Sequence, residues 1–395
     1  MNTSEVTAEL MTYIDASPSP YHAVQNAAKA LTEAGFQKQQ PNATWDDSER
    51  RGFLTRGGAL IAWDTPPKAD PATPFSLITA HSDSPNLRIK ARPDVTRAGM
   101  ELLGVEVYGG ALTNSWLDRD LGISGRVVLR DGTDTRTQLI LVQRALLRVA
   151  QLAIHLDREY ATEGLNLDKQ AHLSPIWALG DESDDGFVRF LSEELSCDPE
   201  DILSWDIMTH DLTPSALLGR DEEFLAAPRL DNLCSSFCGL RSILDTADQD
   251  KQTVSVLVMF DHEEIGSTSS TGADAQLLSA TLERLVLARG GSREDFHRAV
   301  ADSYCVSADM AHAAHPNYLE KHEPEHHVHM NQGPVVKLSA NVRYASDAQS
   351  SALFKLACER AGVELQEYVH STDLGCGSTL EWRWAAPSLR TSTPL

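Results

Sequence analysis

Three short segments of this 395-residue chain join an apolar run to side chains that bind metal or move protons. They are Ile78-Thr-Ala-His-Ser-Asp83, Leu257-Val-Met-Phe-Asp-His-Glu-Glu264 and Val306-Ser-Ala-Asp309. A fourth, Arg229-Leu-Asp-Asn232, opens a helical stretch. All four offer His, Asp or Glu and no cysteine. That is the ligand set of hydrolytic zinc, with cobalt or manganese as alternatives, and not of structural zinc. Singly, each has an ordinary reading: a surface turn for His81-Ser-Asp83, a solvated pair for Glu263-Glu264, a helix N-cap for Asp231, a strand end for Asp309. The conjunction changes this. Glu263 and Glu264 directly follow a run that reads as a buried strand, where two charges are costly without partners.

The pairing suits amide hydrolysis. Near neutral pH the reaction needs a water whose pKa falls to roughly 7, which bound zinc supplies. Two metals ~3.5–4 Å apart are most simply held by a carboxylate between them. A carboxylate that binds no metal must then take the water's proton and pass it to the leaving amine. Of two adjacent glutamates, one can bind metal while the other faces the water. Asp83 can accept a hydrogen bond from the second nitrogen of His81 and so fix its tautomer.

The elements that would position these groups are legible. Ala8–Ala16 and Tyr21–Glu33 read as helices around a Ser-Pro-Ser-Pro break, with Gly35 at the second helix's end. Gly58–Trp63 and Phe75–Ala80 read as buried strands. From about Asp94 the texture becomes β-rich, with alternation at Val105–Tyr108 and strands over Gly125–Arg130 and Thr137–Val142; Gly186–Leu195 reads as an amphipathic helix. Leu230–Asp245 reads as a helix. Val254–Phe260 is a continuous valine-rich run, as in a strand covered on both faces. Helices over 274–289, 293–303 and 347–362 then alternate with strands at Tyr304–Ala308 and Val335–Leu338. This predicts an α/β/α sandwich with a mainly parallel central sheet. It would be built from residues 1–93 and 217–395, with 94–216 as an inserted β-rich domain. In open sheets of this kind ligands bind at the carboxyl ends of the strands, where the acidic and imidazole residues fall.

Composition excludes other classes. Charged residues are 23% and hydrophobic residues 42% of the chain, ordinary globular usage. The net charge of −23 repels phosphate backbones, so nucleic acid is not an expected partner. No apolar run is long enough to span a membrane and no secretory leader is visible, so a cytoplasmic location is expected. The six cysteines are scattered apart from Cys234 and Cys238, as in a reducing compartment.

The chain resembles the aspartyl aminopeptidases, a family of dinuclear-zinc metallo-aminopeptidases. The resemblance rests on Ser17-Pro-Ser-Pro-Tyr-His-Ala23, Thr79-Ala-His-Ser-Asp-Ser-Pro-Asn86, Leu152-Ala-Ile-His-Leu156, Arg229-Leu-Asp-Asn232, Phe260-Asp-His-Glu-Glu-Ile-Gly-Ser267, Asp309-Met-Ala-His-Ala313, Lys321-His-Glu323, Gly333-Pro-Val-Val-Lys337 and Cys376-Gly-Ser-Thr379. It implies that His81 and Asp309 bind one metal, Glu264 the other, that Asp231 bridges them and that Glu263 is the general base and acid. His312 and Lys337 match substrate-handling positions, and a lysine there suits an N-terminal Asp or Glu. His155 would reach a neighbouring subunit's active site from the inserted, dimerising domain, in a dodecamer built from dimers. Glu325-His-His-Val-His329 has the composition of a metal trap, but the resemblance makes it a loop near the substrate.

After Thr379 the family pattern stops. The sequence contains no Met-His-Ser motif, whose histidine completes the second metal site in the family. The final helix and strand of the domain are expected to be missing, the second site to be weak, and the tail to stem from a shifted reading frame. A catalytically impaired homologue, acting as an assembly or peptide-binding subunit, is the alternative that follows. A carboxypeptidase or deacylase on a similar scaffold is a further one.

Overall fold

The computed structural model describes residues 3–46, 50–158, 163–180, 185–374 and 390–392. Among these the chain falls into two compact units. One joins the residues up to Ala23 to Ser84–Pro228; the other joins Val24–Asp83 to the residues from Arg229 onward.

Two helices begin the chain, α1 (Thr3–Asp15) and α2 (Pro20–Glu33). Proline starts α2, where a missing N–H costs nothing. Strands β1 (Gln37–Lys38), β2 (Arg51–Arg56), β3 (Ala59–Asp64) and β4 (Phe75–His81) follow.

The unit that contains Ser84–Pro228 is a six-stranded sheet of β5 (Asn86–Arg97), β6 (Met100–Tyr108), β7 (Leu121–Asp131), β8 (Asp134–Leu147), β9 (Ile176–Leu179) and β10 (Ile202–Asp211). The strands pair antiparallel in the order β8-β7-β10-β5-β6-β9. Alternate residues such as Leu87 and Ile89, or Val127 and Leu129, enter one core. Helix α3 (Gly186–Leu195) contributes Phe187, Leu191 and Leu195 to it, spaced four apart on one helical face. A small hairpin of β11 (Ala216–Leu218) and β12 (Phe224–Ala226) ends the unit. Its sheet begins at Asn86, ahead of the expected change of texture at 94, and residues 3–23 belong with it.

The other unit resumes with α4 (Leu230–Asp245), β13 (Val254–Phe260), α5 (Leu277–Ala288), α6 (Arg293–Ala301), β14 (Tyr304–Ser307), β15 (Val335–Leu338), α7 (Ala348–Ala361), β16 (Gln366–Val369) and β17 (Arg390–Ser392). Its main sheet runs β1-β2-β3-β13-β4-β14-β17; β13, β4, β14 and β17 are parallel, and β3 is antiparallel to β2 and β13. Val256, Val258 and Phe260 face Leu278, Leu282 and Leu285 of α5 and Val300 near the end of α6. Gly239 of α4 lies over Leu257 and Ile78, where an added Cβ would stand 2.6 Å from a Leu257 methyl carbon. Helices therefore cover both faces, which is why β13 is apolar at every position but Ser255.

Two expectations are corrected. Among the described residues β15 does not join the main sheet; it pairs with β16 in a two-stranded sheet, packed through Tyr344 and Tyr368. A strand also exists beyond Thr379: β17 adds to the edge of β14 through backbone hydrogen bonds, which any extended segment can supply. Residues 375–389, which carry the rest of that expectation, lie outside the described residues.

Candidate metal centre

β4, β13 and β14 lie side by side and parallel, so the residues that follow them collect at one end of the sheet. β4 delivers His81 and Asp83, β13 delivers Glu263 and Glu264, and β14 delivers Asp309. α4, packed on β4 and β13, delivers Asp231 from its first turn. Asp231 is not helical there (φ −81°, ψ 105°), and its peptide bond to Asn232 is cis.

His81 is the hub. Its Nε2 lies 3.2 Å from Asp231 Oδ1, 3.6 Å from Asp309 Oδ1 and 3.8 Å from Glu263 Oε2. Two groups of donors close enough to share an ion result: His81 with Asp231 and Asp309, and His81 with Glu263 and Glu264. His81 is 1% exposed, whereas the Asp231 side chain is 55% exposed, so the cluster opens toward solvent on that side. Ser236 of α4 donates to the His81 carbonyl at 2.9 Å, and Asn232 donates to the Ala308 carbonyl at 2.9 Å, tying α4 to the ends of β4 and β14.

The two glutamates occupy one short 3₁₀ turn, Glu263–Ile265. The buried Asp83 carboxylate accepts both their backbone N–H groups, at 3.1 and 3.2 Å. Gly266, at φ +95°, closes the turn in a conformation that favours glycine. Beneath it, the Asp261 carboxylate accepts the N–H of Gly58 and that of His262. The His262 ring contacts the Ser269 hydroxyl at 2.6 Å. Asp83 thus does more than expected. Its carbonyl, 3.0 Å from His81 Nδ1, is nearer that nitrogen than its carboxylate at 3.4 Å. The backbone accepts the imidazole proton while the carboxylate also holds the glutamate turn.

The electrostatics call for a cation. Burial, reinforced by Asp309, Asp83 and Asp231 against the relief from His81, pushes Glu263 up to about 7. The same burial, with Asp231, Asp83 and Glu263 adding to it, pushes Glu264 up to about 8. Burial disfavours charge on His81, but hydrogen bonds to Asp231, Asp309 and Asp83 overcome it and hold the imidazole well above its ordinary value. Two glutamates that resist ionisation, converging with Asp231 and Asp309 on one imidazole, fit a divalent ion of the zinc type, which would displace the His81 proton and neutralise the carboxylates.

Lys337, on β15, is buried and donates to Asp309 Oδ2 at 3.0 Å and to the Met310 carbonyl at 2.7 Å. His312 is exposed; partial desolvation and the Lys337 charge lower its pKa, which places it within electrostatic reach of the cluster. His155 lies in the other compact unit on an exposed turn between exposed Ile154 and Leu156. In the histidine-rich loop, His326 pairs with Glu323 at 2.6 Å, and among the described residues no three donors gather there. Sequence reasoning missed Ser236, Asn232 and Asp261. Only Asn232 and Asp261 carried a signal, as immediate neighbours of candidate ligands.

The family described as aminopeptidase I zinc metalloprotease (M18) matches residues 13–389. The chain belongs to the M18 aminopeptidases. It is 50% identical over 377 residues to a probable M18 family aminopeptidase 2 of Streptomyces avermitilis, covering 95% of this chain and 87% of that one. A protein of the same description from Mycobacterium tuberculosis is 46% identical, with 94% and 86% covered. Among solved structures, this M18 chain resembles one from the cryo-EM structure of the Ape4 and Nbr1 complex. The TM-score is 0.94 at 33% identity, over 99% of this chain and 80% of that one. The M18 aminopeptidase of Thermotoga maritima shares the fold, with a TM-score of 0.87 at 22% identity over 100% and 90%. Membership agrees with the mixed α/β architecture and makes the chain a zinc-type metalloaminopeptidase. Among the described residues no helix is long and apolar enough to cross a membrane.

Proposed function

We propose that the chain removes N-terminal Asp or Glu from peptides at a centre built for two metals. The carrying observation is that His81 Nε2 faces Asp231, Asp309 and Glu263 at 3.2–3.8 Å, with Glu264 on the same turn as Glu263. His81, Asp231 and Asp309 would hold the first zinc; Asp231 and Glu264 would hold the second. When bound, zinc supplies a Lewis acid and an acidified water. Glu263 takes the proton of the attacking water and returns it to the departing amine, a role suited to a carboxyl poised at about 7. Asp83 fixes the turn that carries Glu263 and orients His81. His312 and Lys337 face the substrate's N-terminal residue, and the Lys337 ammonium offers a charge-assisted hydrogen bond to an acidic side chain.

The subunits assemble as dimers through the inserted domain, residues 94–216, and onward to a dodecamer, with His155 serving a neighbour's site. The exposed Leu152, Ile154 and Leu156 beside His155 support a covered surface. Among solved structures, the yeast mApe1 dodecamer shares the fold at 25% identity and a TM-score of 0.84. A cytoplasmic location suits the free cysteines. The test compares anilides of Asp, Glu and Leu with the zinc-loaded enzyme. The reading expects kcat/KM for Asp and Glu to exceed that for Leu at least about tenfold, the worth of one charge-assisted bond; equal rates would refute the acidic preference.

A further inference from the structure

The Lys337 side chain is 6% exposed and that of Asp309 14%. An ammonium in such a place is costly unless its charge and protons are met. Here two of its three N–H bonds are committed. One goes to Asp309 Oδ2 at 3.0 Å and one to the Met310 carbonyl at 2.7 Å. The aromatic ring of Tyr344 lies 5.8 Å away. The other carboxylate oxygen, Oδ1, accepts the Met310 N–H at 2.9 Å and is the one turned toward His81 Nε2 at 3.6 Å. Asp309 is therefore gripped at both oxygens by groups from two elements, β15 and the loop after β14. Only Oδ1 is presented to the cluster.

We propose that Lys337 is a positioning residue of the metal centre, which by occupying Oδ2 makes Asp309 a one-oxygen ligand of fixed orientation. The inference rests on the reading of Asp309 as a metal ligand. It gives Lys337 a task independent of what the substrate carries, and leaves its third N–H for an acidic side chain. Removing Lys337 frees Asp309 to rotate or to chelate through both oxygens. Partners of this kind, hydrogen-bonded to a ligand, typically contribute 10–100-fold in metal affinity.

The test is zinc affinity of the full chain, measured by competition with a chromophoric chelator, for the wild type, Lys337→Met, Lys337→Arg and Asp309→Asn. Lys337→Met is expected to bind zinc about 10–100-fold more weakly. Lys337→Arg keeps a donor on Oδ2 and should recover most of that loss. The visible spectrum of the cobalt-loaded protein should change in Lys337→Met, since the coordination around the ion changes; a merely destabilised fold would leave the bound-ion spectrum as it was. Activity of Lys337→Met on Leu substrates should fall as well as on Asp substrates. If Lys337→Met does not fold, Lys337→Gln carries the same comparison. Wild-type zinc affinity and an unchanged cobalt spectrum in Lys337→Met, with Asp309→Asn weakened, would overturn this inference alone. Unchanged affinity in Asp309→Asn would overturn the ligand reading beneath it.

Discussion

Replacing Glu263 by Gln should stabilise the metal-stripped protein at alkaline pH while slowing the zinc-loaded enzyme about 10²–10⁴-fold. The carboxyl is held at about 7 against an ordinary 4.5, chiefly by burial and then by its neighbours Asp309, Asp83 and Asp231. At ~1.36 kcal/mol for each tenfold change, the folded state loses on the order of 3 kcal/mol once this group ionises. The side chain is only 18% exposed, so solvent screening leaves most of that intact. The sign follows from the raised value. The protonated group's contribution is fully present below 4.5 and is lost as pH rises through about 7. Glutamine has the shape of the protonated acid and cannot ionise. Urea unfolding of chelator-treated protein at pH 5 and pH 8.5 should therefore show little difference between wild type and variant at the lower pH. At the higher pH the variant should gain about 2–3 kcal/mol. Saturating zinc should shrink the gain, because the cation neutralises the carboxylate in the wild type. An equal effect of the substitution at both pH values, or a loss at pH 8.5, would refute the claim that this glutamate is buried against its charge.

Glu264→Gln should lower bound zinc, whereas Glu263→Gln should retain it and lose activity about 10²–10⁴-fold; metal analysis of both variants separates the roles, and equal metal loss would reverse or merge them. Mixed oligomers of His155→Ala and Glu263→Gln chains should regain part of the activity that each lacks, and no recovery would mean that each chain uses its own His155 or none. Dialysed protein should hold about one tight zinc per chain, because both donor groups share the single imidazole of His81 and carboxylates alone hold zinc less well. Two tight equivalents would contradict that.

Much of the scaffold could be read in the chain because its signals are local. The apolar run Val254–Phe260 is a strand of the same bounds, covered on both faces as its lack of alternation implied. Leu230–Asp245 and Gly186–Leu195 are helices with the expected ends. His81, Glu263 and Asp309 stood out because each follows an apolar strand, and parallel pairing of those strands brings them together. What was not legible depends on contacts distant in sequence. Nothing in Val335–Leu338 tells that it leaves the main sheet for a partner at Gln366–Val369. That placement is what brings Lys337 onto Asp309. Ser236 reads as an ordinary small helix residue, and only the packing of α4 on β4 gives its hydroxyl the His81 carbonyl. Asp231 sits in a helix by sequence, yet its backbone departs from helical angles where it meets the cluster.

The central claim is that the cluster around His81 is a metal centre that cleaves N-terminal residues. Its most direct test is to titrate zinc into chelator-stripped protein while following release of the amine from an Asp anilide. No release is expected without metal, activity should rise as zinc is added and saturate, and Glu263→Gln should release amine about 10²–10⁴-fold more slowly at every zinc level. Release by the stripped wild type, or by zinc-loaded Glu263→Gln at the wild-type rate, would contradict the claim.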